Sequence, residues 1–193
     1  MKDEANIVKQ YADSDVGERI NILIKHYPNF IRLVEGYEQS LGFIIKQEKE
    51  CRRRSSLGEL GVRVQSSKKS DPTAREAIDN IMIMQAIQSG ELSAIISDLD
   101  ADVISLYESE IRTIRNMKED YSIFQSTFFY LEPETAETLK KYLSCGRRTE
   151  QLAYDLDIKP EALKMQMYRS KKVVVDQTAS ILVRKYQFEG GKV

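Results

Sequence analysis

Hydrophobic residues recur at helical spacing along much of this chain, and this pattern predicts an all-α fold. The first such region covers residues 17–50. Its apolar positions are Ile20, Leu23 and Ile24, then Phe30, Val34, Tyr37, Leu41, Ile44 and Ile45. Since the residue before a proline disfavours the helical conformation, we expect one helix to end before Pro28 and a second to begin there. Residues 1–54 are therefore predicted to form an N-terminal helical hairpin.

The periodicity disappears over residues 55–71, where serine and glycine interrupt a sequence with few apolar residues. Residues 46–69 carry eight basic and three acidic groups, a net charge of +5. We interpret residues 55–71 as a basic flexible linker. Two hypotheses remain open for it: an arm that lies along DNA phosphate or in a minor groove, and a linker without a partner.

Helical spacing resumes at Asp71 and Pro72, a good N-cap followed by a good first helical residue. One side of this helix is predicted to carry Ala74, Ala77, Ile78, Ile81, Met82 and Gln85, widened by Met84 and Ile87. Gly90 is expected to end the helix. Residues 72–127 form the predicted middle region of long helices.

A second apolar run follows within this middle region: Leu92, Ile96, Leu99, Val103, Leu106, Ile111, Ile114, Met117, Tyr121 and Phe124. Its first steps alternate between four and three residues, as in a coiled coil, until Glu110 takes the next position. Packing within one chain and a dimerising seam both fit this spacing. The acidic residues near 98–102 are an alternative break between two helices.

Residues 128–193 are predicted to form a DNA-binding domain. An aromatic cluster, Phe128, Phe129, Tyr130 and Leu131, is expected to fill a small core, with base stacking as the alternative. Pro133 is a favoured first residue for a helix. Gly146, directly after Cys145, is typical of the position past a helix C-terminus.

A pair of short helices is predicted next, joined by a tight turn at Asp157 and Ile158. Thr149 is the expected N-cap of the first helix and Pro160 the first residue of the second. The inward positions are Leu152, Ala153 and Leu156 on the first helix and Leu163 and Met167 on the second. A small residue such as Ala153 permits two helices to cross closely. This pattern predicts a helix-turn-helix, and an ordinary helical hairpin with a solvated basic face is the competing interpretation.

The second helix of the pair is strongly basic. Residues 159–172 contain five basic residues and one acidic residue, a net charge of +4, whereas the whole chain has a formal charge of −1. Cationic helices gain affinity for DNA through counterion release. Lys164, Gln166 and Glu161 are residue types that read base edges. The predicted DNA-binding residues are Arg147, Arg148, Thr149, Lys159, Glu161, Lys164, Met165, Gln166, Arg169, Lys171 and Lys172.

The run IKPEALKMQMYRSKKVVV resembles the last helix of sigma factor region 4. That resemblance implies a buried Leu163 and Met167, with Lys164, Gln166 and Arg169 facing DNA. It is imperfect, since Asp157 replaces a common glycine and Lys159 a common serine or threonine cap. The segment HYPNFIRLVEGYEQSL resembles the start of phage late-gene transcriptional regulators of the ArpU and RinA type. Those regulators end in a sigma-region-4-like helix-turn-helix.

No catalytic or metal-binding pattern is recognisable in the sequence. Phosphate-binding GxxxxGK[ST] and GxGxxG motifs are absent, and the single histidine, His26, has no nucleophile beside it in sequence. Cys51 and Cys145 lack the companions of a zinc site, so we expect free thiols. No apolar run has the length of a membrane helix, and the N-terminus is too polar for a signal peptide. We therefore expect a cytoplasmic protein without cofactors and without enzymatic activity.

These observations together predict a sequence-specific regulator of transcription that binds double-stranded DNA, specifically a phage or prophage late-gene activator. The N-terminal hairpin and middle helices are expected to mediate homodimerisation or contact with RNA polymerase. Two alternatives remain: a DNA-recognition subunit of phage packaging, similar to a small terminase subunit, and a protein-interaction module that contacts RNA polymerase without DNA.

Overall fold

The computed structural model describes residues 2–56, 72–91, 95–97, 99–145 and 149–188, and its regular secondary structure in these ranges is entirely helical. The α-helices are α1 (Lys2–Asp13), α2 (Val16–Lys25), α3 (Phe30–Ser56), α4 (Pro72–Ser89), α5 (Ala101–Ser126), α6 (Pro133–Cys145), α7 (Thr149–Asp155) and α8 (Pro160–Phe188), and a short 3₁₀ helix covers Thr127–Tyr130. The all-α prediction is confirmed.

Several predicted helix ends shift by a few residues. The second helix of the predicted hairpin begins at Phe30 and not at Pro28, because residues 26–29 form a turn in which the Asn29 N–H donates to the His26 carbonyl at 2.9 Å. Helix α3 also continues to Ser56, two residues into the predicted linker. The rest of that linker, residues 57–71, lies outside the described residues, and so does Leu92.

The chain divides into two compact units: residues 1–33 with 116–193 (unit 1), and residues 34–115 (unit 2). This division differs from the predicted domains, because the N-terminal helices belong with the C-terminal ones. Val16 and Ile20 of α2 form one buried cluster with Leu182 and Tyr186 of α8. Helix α2 therefore packs on the C-terminal half of α8.

Aromatic side chains fill the centre of unit 1. The ring of Tyr27 lies 6.0 Å from that of Phe124 and 5.9 Å from that of Phe128, and the rings of Phe30 and Tyr121 stack at 5.3 Å. Only part of the predicted aromatic cluster belongs to this core. Phe128 is buried, but Phe129 and Tyr130 are exposed, because the 3₁₀ helix turns them outward.

A buried polar network joins four segments of unit 1. The Asp120 carboxylate of α5 is fully buried and accepts hydrogen bonds from the Tyr11 hydroxyl at 2.8 Å and the Tyr186 hydroxyl at 2.6 Å. It also accepts from the Lys185 ammonium group at 3.0 Å. The guanidinium carbon of Arg19 lies 5.3 Å from the Tyr11 ring centroid and 4.3 Å from that of Tyr186. The network thus connects α1, α2, α5 and α8 through one carboxylate and one arginine.

Unit 2 contains most of α3, all of α4 and the first half of α5. Gly42 permits a close approach of α3 to α4, because a Cβ atom there would lie 2.8 Å from the Met84 sulfur. Gly90, predicted to end α4, has a φ of +77°, a backbone conformation that favours glycine. The Arg115 guanidinium donates to the Ser89 carbonyl at 2.6 Å, so it satisfies a carbonyl at the C-terminus of α4.

The predicted inner face of α4 is largely wrong over residues 77–89, whose side chains the structure describes. Ile83, Ala86 and Ile87 are buried, whereas Ile78, Ile81 and Met82 are exposed. Helix α4 carries apolar residues on both sides, and the sequence pattern alone does not distinguish which side meets α3. Residue Gln85, also placed on the inner face, is exposed.

The buried positions of α5 differ from the apolar seam predicted for residues 92–124. Helix α5 begins only at Ala101, within the acidic stretch that was the alternative break, and Asp102 lies in its first turn. Leu106 is exposed and Tyr107 is buried in its place, so the seam moves by one residue before Ile111 and Ile114. Those later positions are buried within the chain itself, as the monomer-packing interpretation expects.

Alkaline pH is expected to destabilise the fold through its tyrosines. Burial raises the pKa of Tyr11, Tyr27, Tyr37, Tyr107 and Tyr121 above their usual value. The folded state therefore binds these phenolic protons more tightly than the unfolded state, so stability is fully present below about pH 10 and is lost as the pH rises further. Urea unfolding at about pH 8 and about pH 10.5, with ultraviolet titration of tyrosinate alongside, measures this loss. Equal free energies of unfolding at the two pH values would contradict it.

Candidate nucleic-acid interface

Helices α6, α7 and the first turns of α8 pack on one another around a small apolar core. Its buried side chains are Ala136 and Leu139 of α6, Leu152 and Ala153 of α7, and Leu163 and Met167 of α8. Ala153 is completely buried, as expected for the small residue where α7 approaches α8. The predicted inward positions of α8 are both correct.

The turn between α7 and α8 is set by backbone hydrogen bonds. The Ile158 N–H donates to the Ala153 carbonyl at 3.0 Å, and the Asp157 N–H donates to the Tyr154 carbonyl at 3.1 Å. Asp157 has a φ of 53°, so it lies in the left-handed region that aspartate tolerates better than most residues. These features form a Schellman motif, in which the left-handed residue ends the helix and redirects the chain. The predicted break at Asp157 and Ile158 is confirmed.

The observed starts of α7 and α8 lie within one residue of the predicted starts. One predicted inward residue, however, is exposed. Helix α7 begins at Thr149 and α8 begins at Pro160. Leu156, predicted to lie on the inner face of α7, is 39% exposed. Because α7 ends at Asp155, Leu156 already belongs to the turn and no longer follows the helical face.

Five cations of the first half of α8 and the residue before it are free of ion pairs with any described residue: Lys159, Lys164, Arg169, Lys171 and Lys172. Lys171 is half-buried, and the other four are exposed. Lys140 of α6 differs, because it pairs with Glu137 at 2.7 Å and lowers the pKa of that carboxyl group. Residues 159–172 therefore carry cations that no described acidic side chain neutralises by an ion pair.

The predicted base-reading residues do not share one face of α8. Each residue advances by about 100° around a helix axis, so Lys164 and Gln166 lie about 200° apart. The side opposite the buried Leu163 and Met167 is centred on Met165 and also carries Glu161, Tyr168, Arg169 and Lys172. We call these five residues the outward face of α8. Lys164 and Gln166 are exposed on its two flanks.

Aromatic side chains near this surface were not among the predicted site residues. Tyr168 is 67% exposed on the outward face, and Tyr154 of α7 is 82% exposed. The sequence could have indicated the exposure of Tyr168, because it follows the inward Met167 by one residue and so points about 100° away from it. Two predicted site residues, Arg147 and Arg148, lie outside the described residues. Thr149, at the start of α7, is half-buried.

The C-terminal half of α8 fixes the helix within unit 1. Val174, Thr178 and Leu182 are buried along the same side as Met167. The Thr178 and Thr127 hydroxyls lie 3.0 Å apart, and Lys185 and Tyr186 join the Asp120 network. This half of α8 therefore packs on α2 and the end of α5. As a result, the outward face belongs to a helix held at its far end.

None of the described helices has the length and apolar character of a membrane-spanning segment. Within the described residues, no group of three or more histidine, cysteine, aspartate or glutamate side chains is arranged to hold a metal ion. No family model, no curated protein and no solved structure matches this chain.

Proposed function

We propose that the chain is a regulator of transcription that binds double-stranded DNA through α8, with α7, the turn and α8 acting as a helix-turn-helix. The observation that carries this proposal is the set of five cations in residues 159–172 that form no ion pair with any residue the structure describes, in a segment with a net charge of +4. Cations that are already paired within the protein contribute less to DNA affinity, because neutralising phosphate must first break those pairs. Unpaired exposed cations release counterions from DNA at no such cost.

The residues of the outward face are the candidates for contact with base edges in the proposed complex. Arg169 is the candidate for bidentate contact with guanine, and Met165 for apolar contact with a thymine methyl group. Glu161 accepts from a cytosine amino group in the same groove. The flanking Lys164 and Lys171, with Lys172, are placed for phosphate, which positions the helix without reading sequence. Lys159 directly precedes α8, where backbone N–H groups also favour phosphate.

The resemblance to phage late-gene regulators of the ArpU and RinA type supports a regulatory role for this DNA binding. Residues 26–33 of the resembling segment and the basic helix pair both belong to unit 1. Regulation by contact with RNA polymerase belongs to the same proposal.

Removing two outward cations is expected to weaken DNA binding. The variant Arg169→Ala/Lys172→Ala should bind a duplex at least tenfold more weakly than the wild-type chain, since loss of a base-contacting arginine costs about 1–3 kcal/mol. Fluorescence anisotropy with labelled duplex DNA at low salt measures this. Lys9→Ala/Lys25→Ala is the matched control, because it removes two exposed cations of α1 and α2. If both variants weakened binding equally, the overall charge of the protein would explain the loss, and the assignment of DNA binding to α8 would be refuted.

A second candidate function is supported by the exposed apolar side chains of the helix pair. Tyr154, Met165 and Tyr168 are 82%, 55% and 67% exposed, and aromatic residues and methionine are enriched in protein interfaces. On this alternative, the helix pair binds a protein such as RNA polymerase and not DNA. Transcriptional activity would then be lost in Tyr154→Ser/Tyr168→Ser and retained in Arg169→Ala/Lys172→Ala. The DNA-binding proposal predicts loss of activity in the second variant.

A further inference from the structure

Helix α4 has an apolar face that nothing in the described chain covers. Ile83, Ala86 and Ile87 pack inside unit 2, while Ile78 and Ile81 on the opposite side are 56% and 57% exposed. A helix with apolar residues on both sides is typical of one that is buried on both sides. An uncovered apolar helix face of this kind is a surface on which another helix can pack.

The exposed face has the spacing of a helix–helix seam. Ile78, Ile81, Gln85 and Gln88 are all exposed and follow one another at alternating steps of three and four residues. This is the repeat by which two α-helices pack along their length. We call these four positions the outer seam. Apolar residues occupy its first two positions and glutamines its last two, and polar residues inside such a seam fix its register.

The charges around the outer seam favour a second copy as the partner. Residues 80–90 contain no charged side chain, although 31% of the whole chain is charged. Two identical copies of an uncharged face meet without like-charge repulsion, and a charged partner would find no opposite charge there. A two-fold dimer places the same surface of both chains in contact.

We propose that the outer seam of α4 is a homodimer interface, occupied by the outer seam of a second copy of this chain. The two chains pair in parallel and in register, so that Ile81 of one chain meets Ile81 of the other. The interface is independent of the proposed DNA binding, since it lies in unit 2 and not on α8.

Charge substitutions at Ile81 test this interface. Sedimentation analysis of the full chain without DNA should give a dimer for the wild type. Ile81→Glu and Ile81→Lys should each give a monomer, because like charges then face each other. An equimolar mixture of the two variants should recover the dimer mass, because opposite charges meet across the two-fold axis. That recovery separates self-association from binding of a different protein.

Asn80→Glu is the matched control, since it introduces the same charge at the neighbouring exposed position, away from the seam. It should remain dimeric, and all variants should keep the helical circular dichroism of the wild type. A monomeric wild-type chain would overturn the proposal. So would a dimer that persists in Ile81→Glu, or a mixture of the two folded variants that stays monomeric.

Discussion

Replacing Asp120 by alanine is expected to lower the free energy of unfolding by about 3–5 kcal/mol, the largest effect of any single substitution considered for this protein. The carboxylate is completely buried and accepts hydrogen bonds from Tyr11, Lys185 and Tyr186. Its removal takes one carboxylate acceptor from the buried Tyr11 and Tyr186 hydroxyl groups and from the Lys185 ammonium group, which keeps its ion pair with Glu119 at 2.7 Å. Burial by itself disfavours the charged form of Lys185, but Glu119 and Asp120 together raise the pKa of its ammonium group.

The matched control for Asp120→Ala is Asp176→Ala, an exposed aspartate on α8. Surface substitutions of this kind usually change stability by less than about 0.5 kcal/mol. Urea unfolding followed by circular dichroism measures both variants at neutral pH. Comparable losses in the two variants would show that the Asp120 network does not stabilise unit 1.

Leu163→Ala is expected to destabilise the α7–α8 pair by about 2–5 kcal/mol and thereby to abolish duplex binding at temperatures where the pair unfolds. Leu163 is completely buried beneath α7 and α6. Its truncation leaves a cavity that the short α7, of only seven residues, has few other contacts to offset. The effect follows from packing and not from any contact with DNA.

Met165→Ala is the matched control for the loss of stability in Leu163→Ala. Met165 lies two residues further along α8, is 55% exposed, and should change the free energy of unfolding by less than about 0.5 kcal/mol. Thermal and urea unfolding of both variants provide the comparison. If Leu163→Ala were as stable as Met165→Ala, the burial of Leu163 would not hold α8 in place.

Short-range signals in the sequence predicted the helix ends well. Pro72, Pro133 and Pro160 each begin a helix, and each is a residue whose missing N–H costs nothing in the first turn. Gly90 and Asp157 both have positive φ and each follows a helix. Such features depend on a few neighbouring residues, so they can be recognised without knowing the fold.

Long-range packing could not be predicted in the same way. Helix α4 is apolar on two sides, so its periodicity fits either side equally well, and the predicted inner face is exposed. The Asp120 network joins residues more than sixty positions apart in sequence, from Tyr11 to Tyr186, and none of its members belongs to a recognisable motif. Helix α1, missed by the sequence analysis, contributes Tyr11 to that network.

The candidate site was predicted in composition but not in geometry. The basic residues of α8 were identified from charge, and the burial of Leu163 and Met167 from spacing. Which α8 side chains point outward depends on the side of α8 that α6 and α7 cover. That side places Met165 at the centre of the outward face and moves Lys164 and Gln166 to its flanks.

The salt dependence of duplex affinity tests the central proposal most directly. Log affinity should fall linearly with log salt concentration for the wild-type chain, with a slope of about −0.9 for each phosphate neutralised. For Arg169→Ala/Lys172→Ala the slope should be smaller in magnitude by up to about 1.8, since two cations are lost. Absence of duplex binding by the wild-type chain at low salt, or an identical slope in the two proteins, would contradict DNA binding through α8.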